Sequence, residues 1–381
     1  MMQPQYEFSR GAEFQRFLES LLNPERFDQD SIIGVTIEFH PMWWRLATFW
    51  HQTGGIDYPY NLFGPILLLQ GWPLVPQPDP AWAGSHWAEL CKRSNKKPHP
   101  YIVRICYRPG TSVEIRGGLS AFAREQPFFC MTQERPLAVA ASGFDGGREL
   151  VANEPGTLGG FFKDKNNSQV YGITCGHVGQ ASGTFVSLED SAGAIHKYAG
   201  IVSHTSFKSL TPLASGQACN RSVRGITSQV DVALVQLHKR YKALNTLPSI
   251  GKIDEILDRT QFGSGDPVQM RGAVSKHNAY YVGAYDVVYK VLFKSGKLHC
   301  FEHMFEINRQ ADVSPLVPPI LTAKAVHGDS GACICRPSRT GNFAYCGTLV
   351  AVDGTNGYAC FAETVRSWAA GLNPSIDLVP L

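Results

Sequence analysis

The stretch that most constrains this chain is Ala325–Cys333, which reads Ala-Val-His-Gly-Asp-Ser-Gly-Ala-Cys. Glycines stand two residues before and directly after Ser330, so the backbone can turn sharply around the serine. Such a turn can aim the backbone N–H groups of Gly328 and Ser330 at one point, where they would stabilise an oxyanion. A serine hydroxyl also needs a neighbouring base before it acts as a nucleophile. The turn is therefore informative only if the rest of the chain supplies that base.

Two further segments supply the missing groups. Val170–Val178 is an apolar strand that runs into a small-residue turn containing His177, and Ser228–Leu237 carries Asp231 ahead of a second apolar run. Taken alone, such a histidine is more often a hydrogen-bonded structural residue, and such an aspartate is usually a cap or turn residue. Taken together, three segments in the order histidine, aspartate, serine predict side chains that act as a unit.

These segments resemble the motifs of the trypsin/chymotrypsin-like serine peptidases. Val170–Val178 is similar to that family's Thr-Ala-Ala-His-Cys segment, Ser228–Leu237 to its Asp-(Ile/Val)-Ala-Leu segment, and Gly328–Gly331 to its nucleophile turn. The resemblance covers roughly residues 136–375. It implies an all-β double-barrel chymotrypsin-like protease domain, with the site in the cleft between the barrels.

The resemblance also implies a role for each site residue. His177 would take the proton of Ser330, and Asp231 would hold the imidazole in the correct tautomer. Gly328 and Ser330 would form the oxyanion hole with their backbone N–H groups. No metal ion and no organic cofactor are implied, and the expected partner of the site is a protein or peptide substrate.

The chain divides into two predicted domains, residues 1–135 and 136–381. The first contains six of the seven tryptophans and mixes helical with strand-like patterns, which predicts a separate N-terminal α+β domain that resembles no family. Its tryptophans favour core packing, with a ligand or partner surface as the alternative. We expect this domain to have a regulatory or recognition role and to be the part of the chain that binds a regulatory partner. Arg124–Arg148 is predicted to be a linker, because it ends in turn-rich residues.

Local patterns predict the following elements. The predicted helices are one that carries Phe14, Phe17, Leu18 and Leu21, then Met42–Gln52, Trp82–Arg93 and Glu363–Ala370. The predicted strands are Ile32–Phe39, Tyr101–Tyr107, Gly156–Phe162, Val170–Thr174, Thr184–Leu188, Ala194–His204, Val230–Leu237, Pro267–Gly272, Tyr280–Gly283, Asp286–Phe293, His303–Ile307, Ile320–Lys324, Ala332–Cys335, Thr348–Asp353 and Tyr358–Phe361. Leu210–Ser228 is predicted to be a long surface loop, and the second barrel is expected to begin near Pro267.

The composition indicates a globular protein with no strong electrostatic preference. Hydrophobic residues make up 44% of the 381 residues and charged residues 18%, and the formal net charge is +3. We therefore expect neither a nucleic acid nor a membrane as partner. The sequence has no apolar run of the roughly 18 residues that a transmembrane helix needs, and its first residues do not follow the pattern of a secretory signal.

The cysteines predict a reducing environment. Secreted members of the resembled family place cysteines directly after the catalytic histidine and four residues before the serine, where this chain has Val178 and Val326. The usual disulfides of the family cannot form, so we expect reduced thiols and a cytoplasmic location. Local bridges among four cysteines are the alternative: Cys333, Cys335, Cys346 and Cys360.

Two departures from the family bear on control and specificity. No Ile/Val-Val/Ile-Gly-Gly sequence that a cleavage could expose stands at the expected distance before His177, so we expect Asp329 to pair inside the chain. Control would then come from the N-terminal domain or a partner. Lys324 stands six residues before Ser330, at the position that forms the base of the substrate pocket. A cation there would favour an acidic side chain at the cleaved position, and the alternative is an exposed lysine at a strand end.

The sequence as a whole predicts a serine endopeptidase that works through an acyl-enzyme on Ser330. Two alternatives stay open. The first is a catalytically silent pseudo-protease that acts as a binding module. The second is a protease limited to self-cleavage, for instance within the predicted linker.

Overall fold

The computed structural model describes residues 11–38, 92, 96, 102–140, 149–152, 154–189, 194–219, 230–239, 241–244, 246–309, 324–354 and 356–381. Three sequence predictions lie outside these ranges. They are the helix over Met42–Gln52, the helix over Trp82–Arg93, of which only Lys92 is described, and the strand over Ile320–Lys324, of which only Lys324 is described. The tryptophans at positions 43–87 also lie outside them.

Strands dominate the described residues. The helices are α1 (Ala12–Leu21), α2 (Val113–Glu125), α3 (Gly176–Gly179) and α4 (Ala362–Ala370). The strands are β1 (Ile32–Glu38), β2 (Ile102–Tyr107), β3 (Phe129–Glu134), β4 (Ala138–Ala140), β5 (Glu149–Val151), β6 (Pro155–Thr157), β7 (Gly160–Asp164), β8 (Val170–Thr174), β9 (Phe185–Glu189), β10 (Ile195–Thr205), β11 (Ala233–Leu237), β12 (Thr246–Leu247), β13 (Gly251–Ile256), β14 (Pro267–Gly272), β15 (Lys276–Val282), β16 (Tyr285–Leu292), β17 (Leu298–Arg309), β18 (Cys333–Pro337), β19 (Phe343–Val352), β20 (Gly357–Phe361) and β21 (Leu378–Pro380).

The strands form two sheets that curl into half-barrels. The smaller sheet has the order β21-β7-β8-β11-β10-β9-β5-β6. Its central strands are apolar on both faces, with Ile173 of β8 and Leu234 of β11 fully buried. The larger sheet has the order β12-β13-β19-β18-β14-β15-β17-β16-β1-β2-β3, and β20 and β4 pair beside β19. Aromatic side chains fill its interior, where Phe361 contacts Phe305 at 5.0 Å between ring centroids.

The local patterns predicted most of these strands. Strand Pro267–Gly272 is observed with the predicted bounds, and the predicted hairpin around residues 163–168 is formed by β7 and β8. The linker predicted over Arg124–Arg148 is wrong as far as residue 140, because this stretch contains the end of α2 and strands β3 and β4. Helix α2 was not predicted, because Gly117 and Gly118 interrupt its helical pattern. Its start is nevertheless marked by Ser112, whose Oγ accepts a hydrogen bond from the Ile115 N–H.

The described part of the N-terminal region continues the larger sheet. Strand β1 pairs with β16 on one side and with β2 on the other, and β3 pairs in parallel with β2. Helices α1 and α2 cover these strands with a cluster of phenylalanines, in which Phe17 stacks on Phe122 at 5.6 Å and meets Phe128 edge-on at 5.4 Å. The separate N-terminal domain stays a prediction, since most of residues 39–101 lies outside the described ranges.

The structure corrects the expected redox state of two cysteines. Cys219 and Cys300 form a disulfide between β17 and the stretch predicted to be a long surface loop, with Cα atoms 5.4 Å apart. The prediction of reduced thiols is therefore wrong for this pair, because the sequence separation of 81 residues hides their closeness in space. The local bridges considered among Cys333, Cys335, Cys346 and Cys360 do not form. The cytoplasmic location stays a prediction.

Within the described ranges, every helix is too short or too polar to span a bilayer.

Candidate active site

His177 lies where β8 leaves the smaller sheet. The strand ends at Thr174, and after Cys175 the chain makes the single helical turn α3, which carries the histidine. Gly176 is needed in this turn because a Cβ atom there would lie 2.8 Å from Oδ1 of Asp231. The histidine is only 3% exposed. The turn thus places His177 directly against the neighbouring strand connection.

Asp231 comes from the adjacent strand. It precedes β11, which pairs with β8 so that Ala233 lies opposite Thr174. Its Oδ1 accepts the backbone N–H of His177 at 2.8 Å, and its Oδ2 lies 2.5 Å from Nδ1 of the His177 ring. A carboxylate can only accept from Nδ1, so the ring proton sits there and Nε2 is left as a base.

Ser206 holds the segment that carries Asp231. Its Oγ accepts the Val232 N–H at 2.9 Å and donates to the Val232 carbonyl at 3.0 Å. The Ser206 N–H also donates to that carbonyl at 2.9 Å. The sequence analysis missed this serine, because its neighbours in the chain give no sign that it bonds to Val232, which lies 26 positions away.

Ser330 completes the set from the larger sheet. Its Oγ lies 3.1 Å from Nε2 of His177, within hydrogen-bonding distance of the base. The same oxygen lies 3.3 Å from the carbonyl oxygen of Val350 in β19, which is the alternative acceptor for its single proton. Ser330 is fully buried and Asp231 is 1% exposed. The three residues predicted from the sequence are therefore brought into one hydrogen-bonded chain, away from solvent.

The turn around Ser330 is held from several sides. Gly328 and Gly331 have φ values of +98° and +95°, a region that glycine adopts readily. Thr157 of β6 donates from Oγ1 to the Gly328 carbonyl at 2.9 Å and from its N–H to the Ser330 carbonyl at 2.7 Å. With both carbonyls held, the N–H groups of Gly328 and Ser330 have no acceptor among the described residues. These are the two donors predicted to form an oxyanion hole.

Asp329 is paired inside the chain, as expected from the sequence. Its Oδ1 accepts the N–H groups of Val274 and Ser275 at 3.0 Å each, and its Oδ2 accepts the Val326 N–H at 3.0 Å. Burial raises the pKa of Asp329 above its ordinary value, although these backbone donors oppose the rise. Three backbone N–H groups of the described residues therefore hold the Asp329 carboxylate beside the serine in place.

Phe293 covers the histidine. It follows the last residue of β16, is 4% exposed, and meets the His177 ring edge-on at 5.5 Å between centroids. On its other side it packs against His299 at 4.6 Å. Burial lowers the pKa of His299, so this ring adds no positive charge near Asp231 at neutral pH. Lys294, the next residue, forms an ion pair with Glu154 at 3.3 Å, which ties the β16–β17 hairpin to the smaller sheet.

Cys175 lies beside the site with its Sγ donating to the Leu349 carbonyl at 3.0 Å. Together with His177 and Asp231 it offers three potential ligand atoms within 4.8 Å of one another. Burial raises the pKa of the Cys175 thiol well above its ordinary value, and the histidine and aspartate already bond to each other. This donor set does not suit a metal ion, which would need a thiolate and freely available ligand atoms.

Lys324 lies apart from the hydrogen-bonded chain. Its Nζ donates to the carbonyl of Gly354, beyond the end of β19, at 2.7 Å. This contact leaves two ammonium protons for other acceptors. The structure thus places Lys324 beside the chain that follows β19, and its role in a substrate pocket stays a prediction.

Strand β4 lies along the edge of β19 next to the serine. It runs antiparallel to β19, with Ala140 opposite Ala351 and Val139 opposite Val352. On its other side it runs parallel to β16. Sequence reasoning missed β4, because three residues are too few for a strand pattern and the stretch was assigned to a linker.

Solved serine protease structures are similar to this chain. They include a glutamic-acid-specific serine protease that uses a histidine triad in substrate binding, a Nocardiopsis protease and protease A of Thermobifida fusca. Sequence identities are 14%, 14% and 15%, and TM-scores are 0.39, 0.38 and 0.38. Each match covers 62% of this chain and 99%, 97% and 98% of the respective relative. No family model and no curated protein sequence matches the chain. At these identities the likeness concerns the fold alone.

Proposed function

We propose that this chain is a serine endopeptidase that hydrolyses peptide bonds through an acyl-enzyme on Ser330. The observation that carries the proposal is the hydrogen-bonded chain from Ser330 Oγ through the His177 ring to Asp231, with distances of 3.1 Å and 2.5 Å. Nucleophile, base and orienting carboxylate have the relation that acyl transfer needs.

Acylation begins when Nε2 of His177 takes the hydroxyl proton while Oγ of Ser330 bonds to the substrate carbonyl carbon. The carbonyl π electrons move to oxygen, and the N–H groups of Gly328 and Ser330 donate to the resulting oxyanion. The Asp231 carboxylate stabilises the imidazolium. As the tetrahedral intermediate collapses, the C–N bond breaks and the leaving amine takes the proton from Nε2.

Deacylation repeats the same transfers with water. His177 takes a water proton while the water oxygen bonds to the acyl carbon, and the ester bond to Ser330 then breaks. The proton on Nε2 returns to Oγ of Ser330, and a carboxylic acid is released. One peptide bond and one water are consumed, and an acid and an amine are formed, with no other co-reactant.

The proposal includes a preference for acidic side chains at the cleaved position, through Lys324. A library of internally quenched peptides should be cut fastest after Asp or Glu, and Lys324→Ala should reduce that preference about tenfold by removing one charge-assisted contact. Lys252→Ala, at an exposed position of β13, is the matched control and should leave the preference unchanged. Fastest cutting after Lys or Arg would contradict this assignment.

A direct test is labelling with a fluorophosphonate, which reacts only with an activated serine. It is applied to the intact chain and to a second chain that carries Val139→Pro and Ala140→Pro. This second chain is named the open-edge variant, because proline has no backbone N–H and β4 therefore loses two hydrogen-bond donors. We expect the probe to label Ser330 in at least the open-edge variant, and peptide mapping locates the labelled residue. Ser330→Ala should abolish the labelling. Ser203→Ala, at a serine bonded to the Leu234 carbonyl, is the control and should label like its parent.

The alternatives from the sequence give different results in the same experiment. A pseudo-protease would leave Ser330 unlabelled in both folded chains, which would contradict the proposed function. A protease limited to itself would be labelled but would cut no added peptide. Comparison of the intact mass of wild type with that of Ser330→Ala would then reveal the self-cleavage. Residues 141–148 of the predicted linker lie outside the described ranges. Control by the N-terminal domain or a partner remains part of the proposal.

A further inference from the structure

The edge of β19 leads directly to the nucleophile. The carbonyl oxygen of Val350 lies 3.3 Å from Oγ of Ser330, and the carbonyl of Leu349 accepts the Gly331 N–H at 2.9 Å. Ala351 and Val352 therefore continue the strand away from the serine. An extended peptide that pairs with these two residues would be held beside Ser330, as happens when a peptide adds to an exposed sheet edge.

Strand β4 already occupies this edge. Its residues Val139 and Ala140 pair with Val352 and Ala351 in antiparallel register. The carboxyl end of β4 thus points toward Val350, and its last residue lies one position short of it. In a peptide whose carbonyl carbon is attacked by Ser330, the residues before the cleaved bond form the acyl side. Their carboxyl end must point toward the serine, as the carboxyl end of β4 does. Strand β4 has the place and polarity that the acyl side of a substrate needs.

The other side of β4 is also paired, so the edge is not open to a second strand. Ala138 and Val139 lie opposite Val291 and Leu292 of β16 in parallel register. Phe293, the next residue of that segment, covers the His177 ring. The residues along this edge and at the site are buried: Ser330 and Ala351 are fully buried, and His177 and Val352 are each 3% exposed.

A buried ion pair anchors the segment that leads into β4. Arg135, three residues before the strand, donates from Nη1 to Oε2 of Glu306 at 2.6 Å and to the Tyr358 hydroxyl at 3.2 Å. The Arg135 N–H also donates to the Tyr107 carbonyl of β2 at 2.9 Å. An occupant tethered this closely competes with any added peptide at a high effective concentration.

We propose that β4 is a built-in occupant of the substrate edge of β19, so that the intact chain keeps its own site closed until β4 leaves. The segment acts as the acyl-side strand of a substrate, and the regulation is intramolecular. This inference rests on the proposed function in taking Ser330 as the nucleophile, but the occupancy of the edge is testable without catalysis.

The experiment measures binding of a peptide in the Ser330→Ala background, where no acyl chemistry occurs. The probe is a fluorescently labelled peptide with the sequence of residues 136–140, Pro-Leu-Ala-Val-Ala. We expect the open-edge variant to bind it about tenfold or more tightly than the intact chain, because the tethered competitor is removed. The same residues in reverse order are the control peptide, and equal binding of both peptides would contradict recognition of an oriented strand.

A matched proline variant and a stability check complete the design. Arg339→Pro places proline in the exposed turn between β18 and β19, in which the Gly341 N–H donates to the Ser338 carbonyl. Arg339 is the second residue of this turn, a position that proline favours, so the substitution should leave peptide binding and the fold unchanged. If the double proline chain does not fold, Ala140→Pro alone replaces it. Equal peptide affinity in the intact and open-edge chains would overturn the proposal.

The labelling experiment separates this inference from the proposed function. If the peptide binds only the open-edge chain and neither chain is labelled at Ser330, the inference stands and the endopeptidase assignment fails. If both chains bind the peptide equally and are labelled at one rate, the endopeptidase assignment stands and the inference fails. Selective binding together with faster labelling of the open-edge chain would support both.

Discussion

In the open-edge variant, Ser330→Ala is expected to lower the rate constant of peptide hydrolysis by about 10⁶-fold. The substitution removes the oxygen that lies 3.1 Å from Nε2 of His177, and no other hydroxyl takes its place in the hydrogen-bonded chain. The N–H groups proposed to form the oxyanion hole remain, and we expect them to account for the residual rate. The measurement is the initial rate on an internally quenched peptide, with Ser203→Ala as the control that should retain the parental rate.

The effects of the three residues should not add. His177→Ala alone should cost about as much as Ser330→Ala, and the double substitution should cost no more, because either change disables the same proton transfer. Asp231→Asn should lower the rate by about 10⁴-fold, since an amide donor facing Nδ1 favours the wrong tautomer. A double variant that loses the product of the two single losses, or a His177→Ala chain within tenfold of its parent, would contradict a common mechanism.

Arg135→Ala is expected to destabilise the chain by about 3–5 kcal/mol, because it removes the guanidinium that balances the buried charge of Glu306. The side chains of Arg135 and Glu306 are 7% and 1% exposed, so water cannot replace the lost contact. Burial disfavours the charge on Arg135, but the Glu306 carboxylate, together with Tyr358, Cys106 and Tyr289, outweighs burial and raises the pKa of Arg135 well above its ordinary value. The measurement is the free energy of unfolding in urea.

The matched comparison is the double substitution Arg135→Met and Glu306→Met. It removes both charges and keeps much of the volume, so it should cost less than Arg135→Ala alone. If the double variant is less stable than Arg135→Ala, the attraction between Arg135 and Glu306 stabilises the fold by more than the cost of leaving the Glu306 charge unbalanced. In the Ser330→Ala background, Arg135→Ala should also raise the affinity for the peptide of residues 136–140, since the anchor that leads into β4 is lost.

Local sequence determined most of the strands and the segments that carry the site. Val170–Thr174 and Pro267–Gly272 were predicted with their observed bounds, because alternating or continuous apolar residues next to turn residues have few other stable conformations. The glycines around Ser330 marked a sharp turn in advance, and the structure shows φ values there that glycine adopts readily. The internal pairing of Asp329 also followed from the sequence, although the identity of its backbone donors did not.

Local patterns did not identify the contacts between distant segments. Thr157 ties the serine turn from a strand 173 residues earlier, and Phe293 covers His177 from the end of β16. The Cys219–Cys300 disulfide and the Arg135–Glu306 pair join residues 81 and 171 positions apart. Each of these side chains has an ordinary local context, so its partner is defined only when the sheets pack.

The sequence by itself determined which residues carry the candidate chemistry and in which local structures they lie, because strands and glycine turns depend on neighbours in the chain. Only the tertiary structure decided that these residues meet at hydrogen-bonding distances. It also decided that the short strand β4 lies along β19, at the edge that leads to Ser330. The physical reason is that pairing at a sheet edge uses backbone groups common to all residues, so the occupant of an edge leaves little trace in the side chains.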